Sequence, residues 1–193
     1  MTRKELESFL APVTKRSAEY AKRLSLKHSS FNEIAEAEVY DLAETLDGDM
    51  QTAIYIKLSV ALASRRVVDS FKFGRRHTEE ELCSYLVAKS FGLSVETVHV
   101  ISENDSGVAL ACDKVGEGTV NYSNVLPRKI IEIAKRHGAK KVIICHNHPG
   151  GYAGPSDDDI SSTKLLFELL LSSGIKLSAH YVVAGDKCKK IDF

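Results

Sequence analysis

The sequence predicts an α+β protein in two parts, a small helical N-terminal domain over residues 1–76 and a domain of strands and helices over residues 77–193. Two observations carry this prediction. In the first part, apolar side chains recur at spacings typical of helices. In the second part, short runs rich in β-branched residues alternate with amphipathic helical segments and turn residues. The change of pattern places the predicted domain boundary at 76/77.

The elements of the helical part follow from apolar residues three or four positions apart. The predicted elements are a helix containing Leu6, Phe9 and Leu10, a helical run over 35–45, a turn at 46–49 and a helix over 53–68. In the last of these helices, Ile54, Leu58 and Leu62 share one face. We therefore expect that face to point toward the core of the helical domain.

Helix caps and turn residues mark the boundaries of the predicted helices and strands in the second part. Thr78 precedes three glutamates, which is typical of a helix start. The turn residues at 104–107 separate two β-rich runs and indicate a hairpin. The predicted elements are a helix after Thr78, strands over 97–102 and 108–115, a helix over 127–137, a strand over 141–145, a helix over 156–173 and a strand over 175–184.

Composition excludes several classes of protein. The chain of 193 residues carries 26 basic and 26 acidic side chains, and this balance argues against a charge-driven binder of nucleic acid or membrane surfaces. No apolar run approaches the roughly 18 residues of a membrane span, and the N-terminus lacks the apolar stretch of a signal peptide. The sequence therefore predicts a cytoplasmic protein without a membrane segment. The four cysteines lack paired spacing and are expected to be buried thiols.

A candidate metal site follows directly on the predicted strand 141–145. Side chains alternate in an extended chain, so His146 and His148 point to the same side and can reach one metal ion. Asp159 returns a carboxylate, and three protein ligands leave the fourth zinc position for water, as in catalytic zinc sites. A simpler interpretation stays open at this point. The histidines would be ordinary loop residues, and Ser156 with Asp159 would cap a helix.

The spacing His-x-His-x7-Ser-x2-Asp resembles the JAMM motif of the JAB/MPN metalloprotease domain, and its flanks resemble the RadC-like branch. The resemblance covers about residues 78–193 and implies a JAB/MPN-like mixed β-sheet flanked by helices. It implies that His146, His148 and Asp159 bind one Zn²⁺ per chain. It also implies that Ser156 stabilises the tetrahedral intermediate during hydrolysis of a peptide or isopeptide bond. The residues that carry the resemblance to the branch are Gly118–Thr119, Leu126–Arg128, His146–Gly151 and Thr163–Lys164.

The motif also expects a glutamate on an earlier strand, acting as general base. By the pattern of the RadC-like branch, counting back from Gly118 assigns this role to Asp113, whose side chain is one methylene shorter. Glu117 has the same strand parity, but it would serve only if the strand bends or bulges. The resemblance therefore implies that Asp113 and Ser156 are the catalytic residues.

Two further positions depart from the branch. Leu126 stands where the branch usually has histidine before Pro-Arg, and Ala179 stands where it usually has aspartate before histidine. Taken by itself, His180 is interpreted as a strand histidine at the solvent or at the edge of the core. These departures leave open the alternative of a catalytically weak or inactive JAB/MPN scaffold.

Residues 1–76 resemble helix-hairpin-helix proteins, which contact DNA phosphate at a Gly-rich turn. The corresponding turn, Leu46–Met50, has one glycine and two aspartates, whose carboxylates repel phosphate. We therefore interpret this part as a degenerate helix-hairpin-helix with a packing or homodimerising role. A DNA-repair-associated accessory protein that binds nucleic acid through the basic residues Arg65–Arg66 and Arg75–His77 stays open as a further alternative.

Overall fold

The structure, a computed structural model, describes residues 2–118, 125–149 and 151–193, with all their side chains except those of 125 and 126. Contacts divide the chain into two compact units, one ending at Arg66 and the other spanning Val67–Phe193. Within the described ranges, no helix combines the length and apolar character needed to cross a bilayer.

The division between the units falls earlier in the chain than the predicted boundary at 76/77. The physical reason is a stack of rings within the second unit. The ring of Phe71 lies 3.8 Å from that of His77 and 4.0 Å from that of Tyr85, measured between centroids. The residues just before Thr78 therefore pack with the second unit.

The first unit is helical, as predicted. Its helices are α1 (Arg3–Leu10), α2 (Ser17–Lys27), α3 (Phe31–Glu36), α4 (Val39–Thr45) and α5 (Met50–Ser70), the last of which continues past the division at Arg66. Its core collects buried side chains from every one of these helices. They are Leu6, Leu10, Tyr20, Ala21, Leu24, Ile34, Leu42, Ala43, Leu46, Ala53 and Ile56.

Helix α5 turns a different face to the core than its apolar pattern predicts. Ala53 and Ile56 are buried, whereas Leu58 is 58% and Leu62 is 70% exposed. Ile54 is also exposed, so the prediction that the stripe at positions 54, 58 and 62 faces the core is wrong. The core formed by the preceding helices packs instead against the adjacent face of α5, which is marked by the small side chain of Ala53.

The second unit contains a five-stranded mixed sheet flanked by helices, which confirms the predicted α+β class. Its elements are α6 (Glu79–Ser90), β1 (Thr97–Glu103), β2 (Ala109–Glu117), α7 (Val125–Arg136), β3 (Lys141–Asn147), α8 (Asp157–Ser172), β4 (Lys176–Ala184) and β5 (Lys187–Lys190). The strand order is β2-β1-β3-β4-β5. Strands β3 and β4 are parallel, and the other neighbouring pairs are antiparallel.

Strand β5 was not predicted, because its sequence Lys-Cys-Lys-Lys has no apolar alternation. It forms the edge of the sheet through a tight turn after Ala184, in which Gly185 has a φ of 59°. Only glycine adopts this left-handed conformation without steric cost. The edge position leaves the lysines of β5 in contact with solvent, as is common at sheet edges.

The central strand β3 shows how the sheet separates two cores. Val142 and Ile144 pack with helices α7 and α8 on one face. Ile143 and Cys145 pack with helix α6 on the other face. By the same alternation, His146 follows Ile144 on the face of α7 and α8. The strand thus delivers its last histidine into a buried position beside α8.

The orientation of α5 predicts unequal effects for two leucine-sized side chains in one helix. Ile56→Ala removes a buried side chain and should lower the free energy of unfolding by about 2–5 kcal/mol. Leu62→Ala, the matched control, removes a side chain that is 70% exposed and should cost under about 1 kcal/mol. Urea denaturation followed by circular dichroism measures both. Equal losses, or a larger loss for Leu62→Ala, would contradict this orientation of α5.

Candidate metal centre

The end of strand β3 is held extended by contacts with both neighbouring strands. The side chain of Asn147 accepts a hydrogen bond from the Thr97 N–H at 2.8 Å, and its amide donates to the Val95 carbonyl at 3.2 Å. On the other side, the His148 N–H donates to the Val183 carbonyl at 2.8 Å. These bonds keep the backbone extended through residue 148, so the alternation of side chains continues to that position.

Helix α8 begins with a capping box that also sets the direction of a carboxylate. Ser156 is the N-cap, and its hydroxyl accepts a hydrogen bond from the Asp159 N–H at 3.0 Å. In return, the hydroxyl and the N–H of Ser156 both donate to Asp159 Oδ2, at 2.7 and 2.8 Å. With Oδ2 held in this way, Asp159 Oδ1 lies 3.2 Å from His146 Nε2. The predicted helix cap is therefore present, and it orients the Asp159 carboxylate toward the histidines.

His146, His148 and Asp159 converge at the mouth of strand β3. One potential ligand atom from each lies within 4.8 Å of the other two. The two Nε2 atoms of the histidines are 3.0 Å apart, and His148 Nε2 lies 3.5 Å from Asp159 Oδ2. The three residues predicted from the sequence as a ligand set are thus brought together in the structure.

The other ring nitrogens show that these residues suit a cation. His148 Nδ1 lies 2.9 Å from the Tyr152 carbonyl, which can only accept, so Nδ1 carries the proton. His146 Nδ1 lies 2.9 Å from His180 Nε2. With both Nδ1 atoms engaged, the two Nε2 atoms face each other beside the Asp159 carboxylate, where one cation can bind all three groups. The donor set of two nitrogens and one oxygen fits a metal such as zinc.

Burial and charge further define the centre. Burial alone raises the pKa of the Asp159 carboxyl, but the His146 ring and the donors of Ser156 outweigh it and hold that pKa well below its usual range. The side chain of His146 is 0% exposed, whereas that of His148 is 23% exposed. The centre therefore holds an anionic carboxylate at neutral pH and opens to solvent on the His148 side.

His180 takes a different position from the one predicted. It was expected at the solvent or the core edge, yet it is 1% exposed and its ring contacts His146. Burial lowers the pKa of His180 to about 3, with the nearby His146 ring as the next cause. His180 is therefore neutral and belongs to the surroundings of the metal centre. The sequence could not reveal this, because the pairing of β3 with β4 is a long-range contact.

Asp113 is not brought to the centre. Its carboxylate oxygens bind Arg136 at 2.7 Å and His137 at 2.9 Å, which ties strand β2 to the end of helix α7. In the sheet, Asp113 pairs with Val100, which in turn pairs with Ile144. Asp113 therefore lies two strands, or about 10 Å, to the side of β3. Along the strand direction it is level with Ile144, two residues before His146. Its assignment as general base stays a prediction that these contacts do not favour.

Glu117 also lies away from the centre, although strand β2 does bulge. Gly116 pairs with Val98, and the register then shifts so that Val115 is the extra residue of a β-bulge. Val98 packs in the core of α7 and α8, so Gly116 takes the position on that face and Glu117 turns to the other. There the Glu117 carboxylate contacts the Lys114 ammonium.

The sheet register points to a carboxylate that the sequence did not single out, Glu96. Val98 pairs with His146, and the two strands run in opposite directions. This is the last pair of the two strands, and Glu96, two residues before Val98, lies just outside the start of β1 beside the end of β3. The backbone still follows the sheet here, since the Glu96 carbonyl accepts from the Gly118 N–H at 2.7 Å. Only the strand order, which places β1 beside β3, reveals this neighbour.

Comparisons with known proteins agree with this geometry. A family model described as the RadC-like JAB domain matches residues 76–190. The chain is similar to a UPF0758 protein of Staphylococcus aureus strain NCTC 8325, at 29% identity over 179 residues, covering 89% of this chain and 79% of the relative. It is equally similar to a UPF0758 protein of Herminiimonas arsenicoxydans, at 29% identity over 177 residues, covering 90% and 78%.

The convergence of the three side chains predicts a metal content that depends on them. Protein equilibrated with zinc and then dialysed should retain about one Zn²⁺ per chain, and His146→Ala or His148→Ala should lose most of it. His99→Ala is the matched control, because His99 is equally a buried strand histidine but lies on the α6 face of the sheet. Mass spectrometry of the metal gives the content. An unchanged zinc content in both site variants would exclude this centre.

Proposed function

The chain belongs to the RadC-like JAB domain family, and on this premise we propose that it is a zinc-dependent hydrolase of peptide or isopeptide bonds. The observation that carries the proposal is the convergence of His146, His148 and Asp159 at the mouth of β3. Structural zinc sites are closed by four protein ligands, whereas three ligands with an open side suit catalysis. The partial exposure of His148 supports such an open side.

Zinc is the metal that this donor set fits best. Imidazole nitrogens together with one carboxylate oxygen are typical zinc ligands, whereas magnesium and calcium prefer oxygen ligands throughout. When bound, zinc supplies a Lewis acid that polarises an amide carbonyl and makes water reactive near neutral pH. His146, His148 and Asp159 would hold one ion per chain, with Asp159 contributing the negative charge.

We assign proton transfer to Glu96. A general base must come within hydrogen-bonding distance of the attacking water, directly or through one further water. The antiparallel pairing supports Glu96 for this role, since Glu96 precedes the partner of His146 by two residues and lies beside the end of β3 that leads to His148. Glu96 would take a proton from the attacking water and deliver a proton to the leaving amine. Asp113, bound to Arg136 and His137, would instead hold helix α7 against the sheet.

The hydroxyl of Ser156 can orient a metal ligand or stabilise the oxyanion, and its hydrogen bonds distinguish these two roles. Its hydroxyl proton is donated to Asp159 Oδ2, so in this arrangement Ser156 orients a metal ligand. Stabilising the oxyanion of the tetrahedral intermediate, as the resemblance implies, requires the same proton. We propose that the hydroxyl turns from Asp159 to the oxyanion when substrate is bound, because the Ser156 N–H continues to hold Oδ2.

The alternatives from the sequence make different use of the same residues. A catalytically inactive scaffold would keep the zinc ligands but hydrolyse nothing. A nucleic-acid role would fall on the basic residues over 65–77, where Arg75 pairs with Glu81 at 2.8 Å. In the helical unit it would fall on the turn, where Asp47 binds both Arg16 and Arg23. Carboxylate and guanidinium groups thus satisfy one another at this turn, and no observation there favours phosphate binding. Homodimer formation and a cytoplasmic location stay predictions.

The assignment of the base predicts a clear order of activities. Glu96→Gln should lower kcat by about 10²–10⁴-fold at unchanged zinc content, because it removes the proton acceptor and leaves the ligands in place. Asp113→Asn keeps the size of the side chain and should leave kcat within about threefold of wild type. Hydrolysis of a library of peptides and lysine-linked isopeptides, followed by mass spectrometry, provides the substrate and the rates.

The reverse order of the two variants would return the role of base to Asp113. If the zinc-loaded wild type hydrolyses neither the peptides nor the isopeptides, the alternative of a catalytically inactive scaffold is favoured.

The two contributions of Ser156 predict different changes in one variant. Ser156→Ala should lower kcat by about 10²–10³-fold if the hydroxyl stabilises the oxyanion. Zinc content should stay near wild type, since the Ser156 N–H still orients Asp159. Ser156→Thr retains the hydroxyl and serves as the matched control, with activity close to wild type. A loss of zinc in Ser156→Ala in proportion to the loss of activity would restrict Ser156 to orienting Asp159.

A further inference from the structure

We infer that His180 and Thr163 are positioning residues that hold the His146 ring with a proton on Nδ1, so that its Nε2 faces the metal position. We call the chain of contacts from His146 through His180 and Thr163 to the Asp159 carbonyl the His180 relay. Its purpose rests on the proposed zinc-dependent function, but its hydrogen bonds exist in the metal-free protein and are testable there.

The direction of each hydrogen bond in the relay follows from counting protons. Thr163 Oγ1 lies 2.5 Å from the Asp159 carbonyl, which can only accept, so the Thr163 hydroxyl donates there. That hydroxyl has one proton, so its contact of 2.7 Å with His180 Nδ1 requires the imidazole to donate. Neutral His180 then has a lone pair at Nε2. The contact of 2.9 Å with His146 Nδ1 requires His146 to donate, which leaves His146 Nε2 as the ring atom that faces Asp159 and His148.

Burial makes this arrangement the favoured one. His146 and Thr163 are 0% exposed and His180 is 1% exposed, so bulk water offers no alternative partners. A doubly protonated His180 would place an unpaired charge in this interior, at a cost that burial makes large. A reversed His146, protonated at Nε2, would leave two lone pairs facing each other at His180. Between His146 Nδ1 and the Asp159 carbonyl, the relay therefore pairs each donor with an acceptor in only one direction.

The relay also joins two metal ligands that lie on different elements. His146 belongs to β3, His180 to β4 and Thr163 to α8. The parallel pairing of Ile144 with His180 brings the two histidines to the same face of the sheet. Through Thr163, the ring of one ligand is coupled to the first turn of the helix that carries the other, Asp159. Outer partners of this kind orient metal-bound histidines and tune metal affinity.

The tautomer of His146 is the most direct readout of the relay. In metal-free protein labelled with ¹⁵N, two-bond ¹H–¹⁵N spectra of the imidazoles should show a proton on His146 Nδ1. His180→Phe keeps a ring of similar size but removes the acceptor of that proton, and should give a population of His146 that lacks it. A wild-type His146 without a proton on Nδ1, or a spectrum that His180→Phe leaves unchanged, would overturn the inference.

Zinc affinity provides a second readout, measured by competition with a chelating dye. His180→Phe should bind zinc about 10–100-fold more weakly, as expected for loss of an outer partner. His180→Gln retains an acceptor oxygen near the position of Nε2 and should recover part of this loss. His99→Phe is the matched control, since it also removes a buried strand histidine, but on the other face of the sheet. Equal zinc affinities for His180→Phe and His99→Phe would also overturn the inference.

The two readouts separate the relay from the proposed hydrolysis. A wild-type protein that hydrolyses nothing but shows the expected tautomer refutes the proposed function and retains the relay. A hydrolase with the opposite tautomer retains the function and refutes the relay. If His180→Phe does not fold, Thr163→Val tests the same chain, because it removes the acceptor for His180 and should also shift the tautomer of His146.

Discussion

The functional centre depends on the extended backbone at the end of strand β3. The side chain of Asn147 bonds to β1 and the His148 N–H bonds to β4, and together they prevent the chain from turning before residue 148. An early turn would rotate His148 away from His146 and separate the two imidazoles. The two histidines thus converge because of backbone geometry. Helix α8 brings the third donor, Asp159, to the same point, together with Ser156 and Thr163, which bond to it.

The start of helix α8 has two roles in one local structure. Ser156 and Asp159 form an ordinary capping box, which satisfies backbone N–H groups that the helix leaves free. In the same arrangement, the bonds to Oδ2 leave Oδ1 directed at His146. The structural interpretation of this motif is therefore confirmed, and the same bonds leave Asp159 in a position to bind a metal ion. A carboxylate within a helix cap is held rigidly, because the hydrogen bonds that stabilise the start of the helix also fix the direction of the carboxylate.

Local patterns were sufficient to predict that His146, His148 and Asp159 form one candidate site, and long-range pairing was needed for the surroundings of that site. Strand alternation places His146 and His148 on one side, and a spacing within one helical turn relates Ser156 to Asp159. Neither fact requires knowledge of the strand order. By contrast, Glu96 and His180 become neighbours of the centre only through the pairing of β3 with β1 and β4.

The same distinction applies to Asp113 and to helix α5. Asp113 was reached by counting along one strand, whereas its distance from His146 is set by strand order and by the bulge at Val115. The orientation of helix α5 was inferred from its longest apolar stripe. The core instead packs on the adjacent face, where Ala53 permits close approach of the neighbouring helices. For α5, a tertiary contact and not the local pattern determined the outcome.

The most direct test of the account is the coordination of zinc in the loaded protein, measured by X-ray absorption at the zinc edge. The account predicts a first shell of nitrogen and oxygen atoms at about 2.0–2.1 Å, with imidazole scattering that fits two histidines. A sulfur shell at about 2.3 Å would instead assign the metal to the cysteines. Either that shell or scattering from fewer than two imidazoles would contradict a centre built from His146, His148 and Asp159.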